Sequence, residues 1–193
     1  MSPSLPLVIG HGQLPLAELS AARLDGELRA LGEAYCSIDV HPSADLRAAA
    51  LPTVPEALIA ERRTAAWLLG ADPRFTLPMQ FCLRSTRRPR VPPTSQCVVR
   101  QVVLADDEIV VAGGVRLTSP LRTAIDLLRW QPDFDTGLAR TVATLLLGCR
   151  LGTGGCAAVL RSTPHLPHKR RALERLEAVA ELGLSPGRGL PPG

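Results

Sequence analysis

The first forty residues carry a hydrophobic pattern of helical spacing. Leu24, Leu28 and Leu31 recur at i, i+4 and i+7, which predicts one apolar helix face. Ser20 would cap this helix, and the residues after Gly32 read as a strand. We therefore predict a small helix–turn–helix–strand unit, with helices over 15–19 and 21–31 and a strand over 34–40.

The middle of the chain has shorter apolar runs that are separated by Pro, Gly and charged residues. A helical patch is expected over 44–51, and a helix over 57–69 that Gly70 ends. Extended runs then follow one another with turns between them, so we expect a small and largely antiparallel sheet. Its strands are predicted over 75–83, 97–104, 109–112 and 115–117.

The clearest helix start in the chain is Ser119-Pro120, a cap residue followed by proline at the first helical position. Arg122 and Asp126 lie four residues apart in this helix and can pair along it. Two further helices are predicted over 136–147 and 168–182, and the glycine-rich stretch 152–155 between them is expected to be a plain loop.

These elements predict an α+β fold: a small degenerate winged-helix-like unit, followed by a mixed sheet packed with helices. We place the first unit at 1–42, the second at 43–182 and a flexible tail at 183–193.

Composition narrows the function classes only slightly. The chain has 193 residues, a net charge of +4 and 46% hydrophobic residues, as expected for a globular protein that tolerates a polyanionic partner. Nearly all the basic residues are arginine, which indicates a compositional bias more than selection for phosphate contacts. The five cysteines have wide spacings and no C-x-x-C pair, so we expect reduced thiols and a cytoplasmic protein without a membrane segment.

Catalytic and metal-binding motifs are not evident in the sequence. The acidic triplet at 106–108 is typical of a turn between strands, so we expect no metal and no cofactor. An enzyme would need a pocket that joins His41 or His165 to acidic side chains.

Basic residues form two candidate nucleic-acid contacts. The first is the loop that contains Arg84, Arg87, Arg88 and Arg90, which could contact several phosphates or could equally be a solvated loop that protects strand edges. The second is the outer face of the predicted second helix, where Arg23 and Arg29 stand beside two acidic residues.

Three stretches carry a family resemblance. Residues 63–70, with Thr64 and Trp67, match a helix that ends in Gly, and Tyr35 closes an L-x-x-G-x-Y-like segment. The most specific stretch is GVRLTSPLRTAIDL at 114–127, in which the matching positions are Thr118, Pro120, Arg122, Thr123 and Asp126. Together these stretches resemble the AbiEi-type antitoxin family of type IV toxin–antitoxin systems. Some actinobacterial relatives carry a C-terminal nuclease-like extension, which we expect to be missing here.

The resemblance implies a winged helix that binds operator DNA and a second domain with antitoxin function. Such an antitoxin acts against a nucleotidyltransferase-like toxin without needing to bind it. We therefore expect a non-enzymatic regulator in which the signature residues have structural roles. The alternative is an accessory module that docks a protein partner and remains after loss of the nuclease-like domain.

Overall fold

The first structural unit contains one helix and a hairpin. The computed structural model describes residues 7–10, 12–85 and 96–183, beginning with α1 (Leu16–Leu24). Strands β1 (Leu28–Leu31) and β2 (Ala34–Ser37) follow and pair in antiparallel orientation.

The predicted second helix over 21–31 is wrong. Gly26 adopts a φ of +79°, a conformation that ends α1 and turns the chain into β1. Leu24 is therefore 87% exposed, whereas Leu31 is buried and belongs to strand β1. Glycine at this position outweighs the apolar spacing, because a helix cannot continue through a left-handed residue.

The central sheet has five strands in the order β5-β4-β3-β7-β6. Its strands are β3 (Ile59–Ala60), β4 (Met79–Arg84), β5 (Cys97–Val102), β6 (Ile109–Ala112) and β7 (Val115–Thr118). The mixed sheet is confirmed, but the expectation of mainly antiparallel neighbours is wrong for two pairs. β4 runs parallel to β5, and β3 runs parallel to β7.

The predicted helix over 57–69 is divided into a strand and a shorter helix. Ile59 and Ala60 form the central strand β3, and α3 (Arg62–Leu68) begins directly after it. The break lies at Glu61 and Arg62, where Arg62 takes a φ of +47°. Strand β3 pairs with both β4 and β7, which supplies hydrogen-bond partners for its backbone. These partners are distant in sequence, so no local pattern could predict the strand.

The remaining helices cover the sheet and pack against one another. They are α2 (Ala44–Ala49), α4 (Pro120–Trp130), α5 (Thr136–Gly148), α6 (Gly152–Ser162) and α7 (Lys169–Glu181). The expected loop at 152–155 is wrong because these residues form the first turn of α6. Gly155 leaves space for the side chain of Leu151. A Cβ added at Gly155 would lie only 2.5 Å from Cγ of Leu151.

Two large apolar clusters stabilise the fold. One lies among α4, α5, α6 and α7, and the other lies between the sheet, α2, α3 and the β1–β2 hairpin. Trp67 belongs to the second cluster, where Gly32 of the hairpin packs so closely that an added Cβ would lie 3.3 Å from its ring. Both clusters consist mainly of aliphatic side chains, in keeping with the 3% aromatic content.

No single helix in the described parts of the chain is long and apolar enough to cross a membrane. Helices α5 and α6 would suffice together in length and composition, but they are bent by 91° relative to each other.

Candidate functional site

The strand-to-helix signature lies at the junction of β7 and α4. Ser119 accepts a hydrogen bond from the backbone N–H of Arg122 at 3.4 Å, and Pro120 occupies the first turn, as predicted. The hydroxyls of Thr118 and Thr123 lie 2.7 Å apart and are both buried. Thr123 also donates to the Thr118 carbonyl oxygen at 3.0 Å, so this hydroxyl pair ties the end of the sheet to the start of α4.

Asp126 is the centre of an ionic cluster on α4. The residue is only 1% exposed. Its Oδ2 accepts from Arg122 Nε at 3.0 Å and from Arg100 Nη2 at 3.2 Å, and its Oδ1 accepts from Arg129 Nη1 at 3.2 Å. The expected pairing of Arg122 with Asp126 is confirmed, with the carboxylate buried and the Arg122 side chain 14% exposed.

A second buried carboxylate joins this cluster from the sheet. Glu61 has no exposed surface and binds Arg100 Nε through both oxygens, at 2.6 and 2.8 Å. Arg62 Nε donates to the same carboxylate at 2.9 Å. Arg100 therefore bridges Glu61, which follows β3, to Asp126 on α4.

Glu61, Arg100 and Arg129 were missed by the sequence analysis. Arg100 lies 39 residues from Glu61 and 26 from Asp126, so no local spacing links them. The one available signal was an acidic residue between the apolar run 57–60 and the helix that follows it.

Burial and neighbouring charges act in opposite directions on these groups. Burial disfavours the charged forms of Arg100 and Arg122, but their carboxylate partners outweigh it and hold the pKa of both above the usual value. Burial lowers the pKa of Arg129; Asp126 offsets part of this effect, and repulsion from Arg122 and Arg100 adds to it. Arg100 and Arg122 are thus held charged by their carboxylates, whereas burial outweighs the attraction of Asp126 at Arg129.

A groove of about 600 Å³ opens beside this cluster, and we call it the arginine groove. Its walls come from the end of β5, from α4 and from the turn between α6 and α7. The residues that line it and enter the argument below are Arg100, Val103, Arg122, Arg129, Trp130 and His165.

The groove places His165 near an acid, as an enzyme would require, but without a contact between them. Glu108 also lines it, yet this carboxylate binds Arg122 Nη1 at 2.8 Å and the Ala105 N–H at 3.0 Å. Within the described residues His165 makes no hydrogen bond or ion pair with an acid, and His41 lies outside the groove. The same residues contain no group of three or more His, Cys, Asp or Glu side chains that could hold a metal ion.

The other signature residues also have structural contacts. Thr64 accepts a hydrogen bond from the Gln80 N–H at 2.8 Å and thereby links α3 to β4. Trp67 packs against Phe75 with ring centroids 4.9 Å apart, and the guanidinium of Arg47 lies 5.3 Å from its ring.

Three of the predicted nucleic-acid contacts, Arg23, Arg29 and Arg84, lie on three different elements. Arg23 is exposed on α1, but Arg29 lies on β1 and donates to the carbonyl oxygens of Ile38 and Val40. The expectation that both arginines share a helix face is wrong, because that helix ends before Arg29. Arg84 ends β4 and pairs with Asp106.

Three arginines of the basic loop, Arg87, Arg88 and Arg90, lie outside the described residues. The prediction that they bind nucleic acid stays a prediction.

Comparisons with known proteins yield a structural similarity but no match to a family model or a curated sequence. The crystal structure of the RV2827C protein from Mycobacterium tuberculosis is similar to it with a TM-score of 0.48 and 16% sequence identity. The match covers 94% of this chain and 73% of that chain. The function of this chain therefore has to be argued from its own geometry.

Proposed function

We propose that this chain is a non-enzymatic, cytoplasmic, DNA-binding regulator of the AbiEi antitoxin type. The observation that carries the proposal is the setting of α1, in which Leu19 is the only buried residue. A helix that packs so little against its own protein can enter a DNA groove. The β1–β2 hairpin follows α1 directly, which is the order of helix and wing in a reduced winged-helix unit.

Arg23 is the residue of α1 that would contact a phosphate. It is exposed and belongs to the last turn of the helix. Arg29 has no part in this proposal because its guanidinium binds the backbone of its own hairpin. The basic loop after β4 would add contacts through Arg87, Arg88 and Arg90, as its charge suggests.

The signature residues support a regulator more than an enzyme, since their polar atoms are used within the fold. Asp126 is shared by three arginines, and the hydroxyls of Thr118 and Thr123 bond to each other. A general base or nucleophile would need its reacting atom accessible to a substrate. As an antitoxin, the protein would act in a functional pair with a nucleotidyltransferase-like toxin.

The test is a salt-titrated binding assay on the DNA upstream of the protein's own reading frame, against a scrambled duplex of equal length. The variant is Arg23→Ala, and the matched control is Arg140→Ala, which removes an exposed arginine from α5. We expect Arg23→Ala to weaken binding and to reduce the slope of log K against log salt by about 1. Equal effects of the two substitutions, or equal affinity for both duplexes, would exclude operator recognition by α1.

A second candidate function is a protein-docking module, and the apolar surface of α1 favours it. Leu16 and Leu24 are large, exposed side chains near the two ends of the helix. DNA contact does not explain them, because neither side chain can hydrogen-bond to a base or a phosphate.

This candidate predicts that Leu24→Gln abolishes co-purification with the product of the adjacent reading frame and leaves DNA affinity unchanged. Val111→Gln, which changes an exposed residue of β6, is the control. Co-purification that survives Leu24→Gln would exclude docking through α1.

A further inference from the structure

We propose that the arginine groove binds a phosphate monoester that carries a flat ring, of the size of a nucleoside monophosphate. This inference is independent of the proposed function, because none of the described residues that line the groove belongs to α1.

The first argument is the balance of charge. The cluster beside the groove has three carboxylates and four guanidinium groups, from Glu61, Glu108 and Asp126 and from Arg62, Arg100, Arg122 and Arg129. Each guanidinium group pairs with at least one carboxylate, but the cluster as a whole carries one more positive than negative charge. The pKa of Arg129 is lowered mainly by burial; Asp126 opposes this effect, and repulsion from Arg122 and Arg100 adds to it.

The second argument is the supply of hydrogen-bond donors. Arg100, Arg122 and Arg129 all reach Asp126, at 3.2, 3.0 and 3.2 Å, so their guanidinium groups lie close together. Each also keeps one terminal nitrogen that has no acceptor within the described part of the chain: Nη1 of Arg100 and Nη2 of the other two. Guanidinium groups with free donors of this kind match the oxygens of a phosphate group.

The third argument concerns the ring. The guanidinium groups of Arg100 and Arg129 each lie 5.3 Å from the centroid of the Trp130 ring. Its indole Nε1–H is buried and has no acceptor in the described residues, so a ligand atom could supply the missing bond. The lining of the groove also includes the apolar side chains of Val102, Ile125 and Leu166. A bare anion would leave these apolar side chains exposed to water, whereas a flat ring would cover them.

The size of the groove agrees with such a ligand. A volume of about 600 Å³ lies within the range of about 300–1,000 Å³ that is typical of small-molecule sites. His165, which is exposed, also lines the groove and adds a ring nitrogen that can hydrogen-bond to a ligand.

The experiment is isothermal titration calorimetry with AMP, adenosine and inorganic phosphate on the full chain at low ionic strength. We expect AMP to bind at least about tenfold more tightly than adenosine or inorganic phosphate. The arginines would hold its phosphate group and the apolar side chains its ring, so each of the other two ligands lacks one of these contacts. AMP should also change the tryptophan fluorescence, since Trp130 lines the groove.

The substitution that tests the location leaves the ionic cluster intact. Val103 lines the groove and is 79% exposed, so Val103→Glu puts a carboxylate at the entrance without disturbing the interior. Val111→Glu is the matched control, at a valine on β6 that is 65% exposed and does not line the groove. We expect Val103→Glu to weaken AMP binding about tenfold and Val111→Glu to leave it unchanged.

Three outcomes would overturn the proposal. The first is that AMP gives no heat of binding up to about 10 mM, a concentration above the Kd of nearly all metabolite sites. The second is that the two valine substitutions have equal effects. The third is that adenosine or inorganic phosphate binds as tightly as AMP. A 5′-phosphorylated oligonucleotide that binds far more tightly than AMP would instead assign the groove to the end of a nucleic-acid strand.

Discussion

Replacement of Asp126 by alanine should be among the most destabilising single changes in this protein. The carboxylate is 1% exposed and receives hydrogen bonds from three arginines. Two of them keep another carboxylate, Glu61 for Arg100 and Glu108 for Arg122. Arg129 keeps only the Pro167 carbonyl oxygen among the described residues. Asp126→Ala therefore leaves a buried guanidinium without a counter-charge.

The magnitude follows from the cost of an unpaired buried charge, which is about 3–5 kcal/mol when one partner of a buried pair is removed. With an m-value of about 2 kcal/mol per M of urea, the unfolding midpoint should fall by about 1.5–2.5 M. The measurement is urea unfolding followed by far-UV circular dichroism. Asp106→Ala is the control, because Asp106 also pairs with an arginine but is 94% exposed, and we expect no measurable change.

A double substitution separates the unpaired charge from a simple loss of packing. If the charge is the cause, Arg129→Met in the Asp126→Ala background should recover part of the lost stability, because it removes the stranded guanidinium. Further destabilisation by Arg129→Met, or equal midpoints for Asp126→Ala and Asp106→Ala, would refute the reasoning.

Three other predictions concern single sites. Thr123→Val should lower the free energy of unfolding by about 1–3 kcal/mol in urea unfolding, because it leaves the buried Thr118 hydroxyl without its partner, and an unchanged midpoint would contradict this. Gly113→Ala should destabilise more than Gly114→Ala, since both have positive φ but only the first would place its Cβ 2.8 Å from an alanine of α2; equal melting temperatures would argue against it. Burial raises the pKa of the Cys156 thiol to about 12, so the stability that this thiol contributes is fully present below about pH 9 and is lost as pH rises toward 12. Urea unfolding between pH 8 and about pH 11 should show this fall, and a Cys156→Ala variant with the same pH dependence would exclude Cys156 as its source.

Several individual residues of the candidate site could be predicted from the sequence, but their assembly into a groove could not. The cap at Ser119, the proline that opens α4 and the Arg122–Asp126 pair all depend on residues within a few positions of one another. The groove depends on Arg100, which reaches α4 only because β5 lies at the edge of the sheet next to β4. Neither the parallel pairing of β4 with β5 nor the burial of Asp126 has a signal in the local sequence.

The sequence by itself determined that the fold is α+β and where several of its elements lie. Caps, glycines and apolar spacing act within one or two helical turns, so the start of α4 and the bounds of the β6–β7 hairpin and of helices α5 and α7 were predicted close to those observed. Tertiary structure decided which segments became strands, as at β1 and β3, because a strand is stable only when its backbone finds partners. It also decided where charge accumulates, since Glu61, Arg100 and Asp126 meet only after the sheet and α4 have packed together.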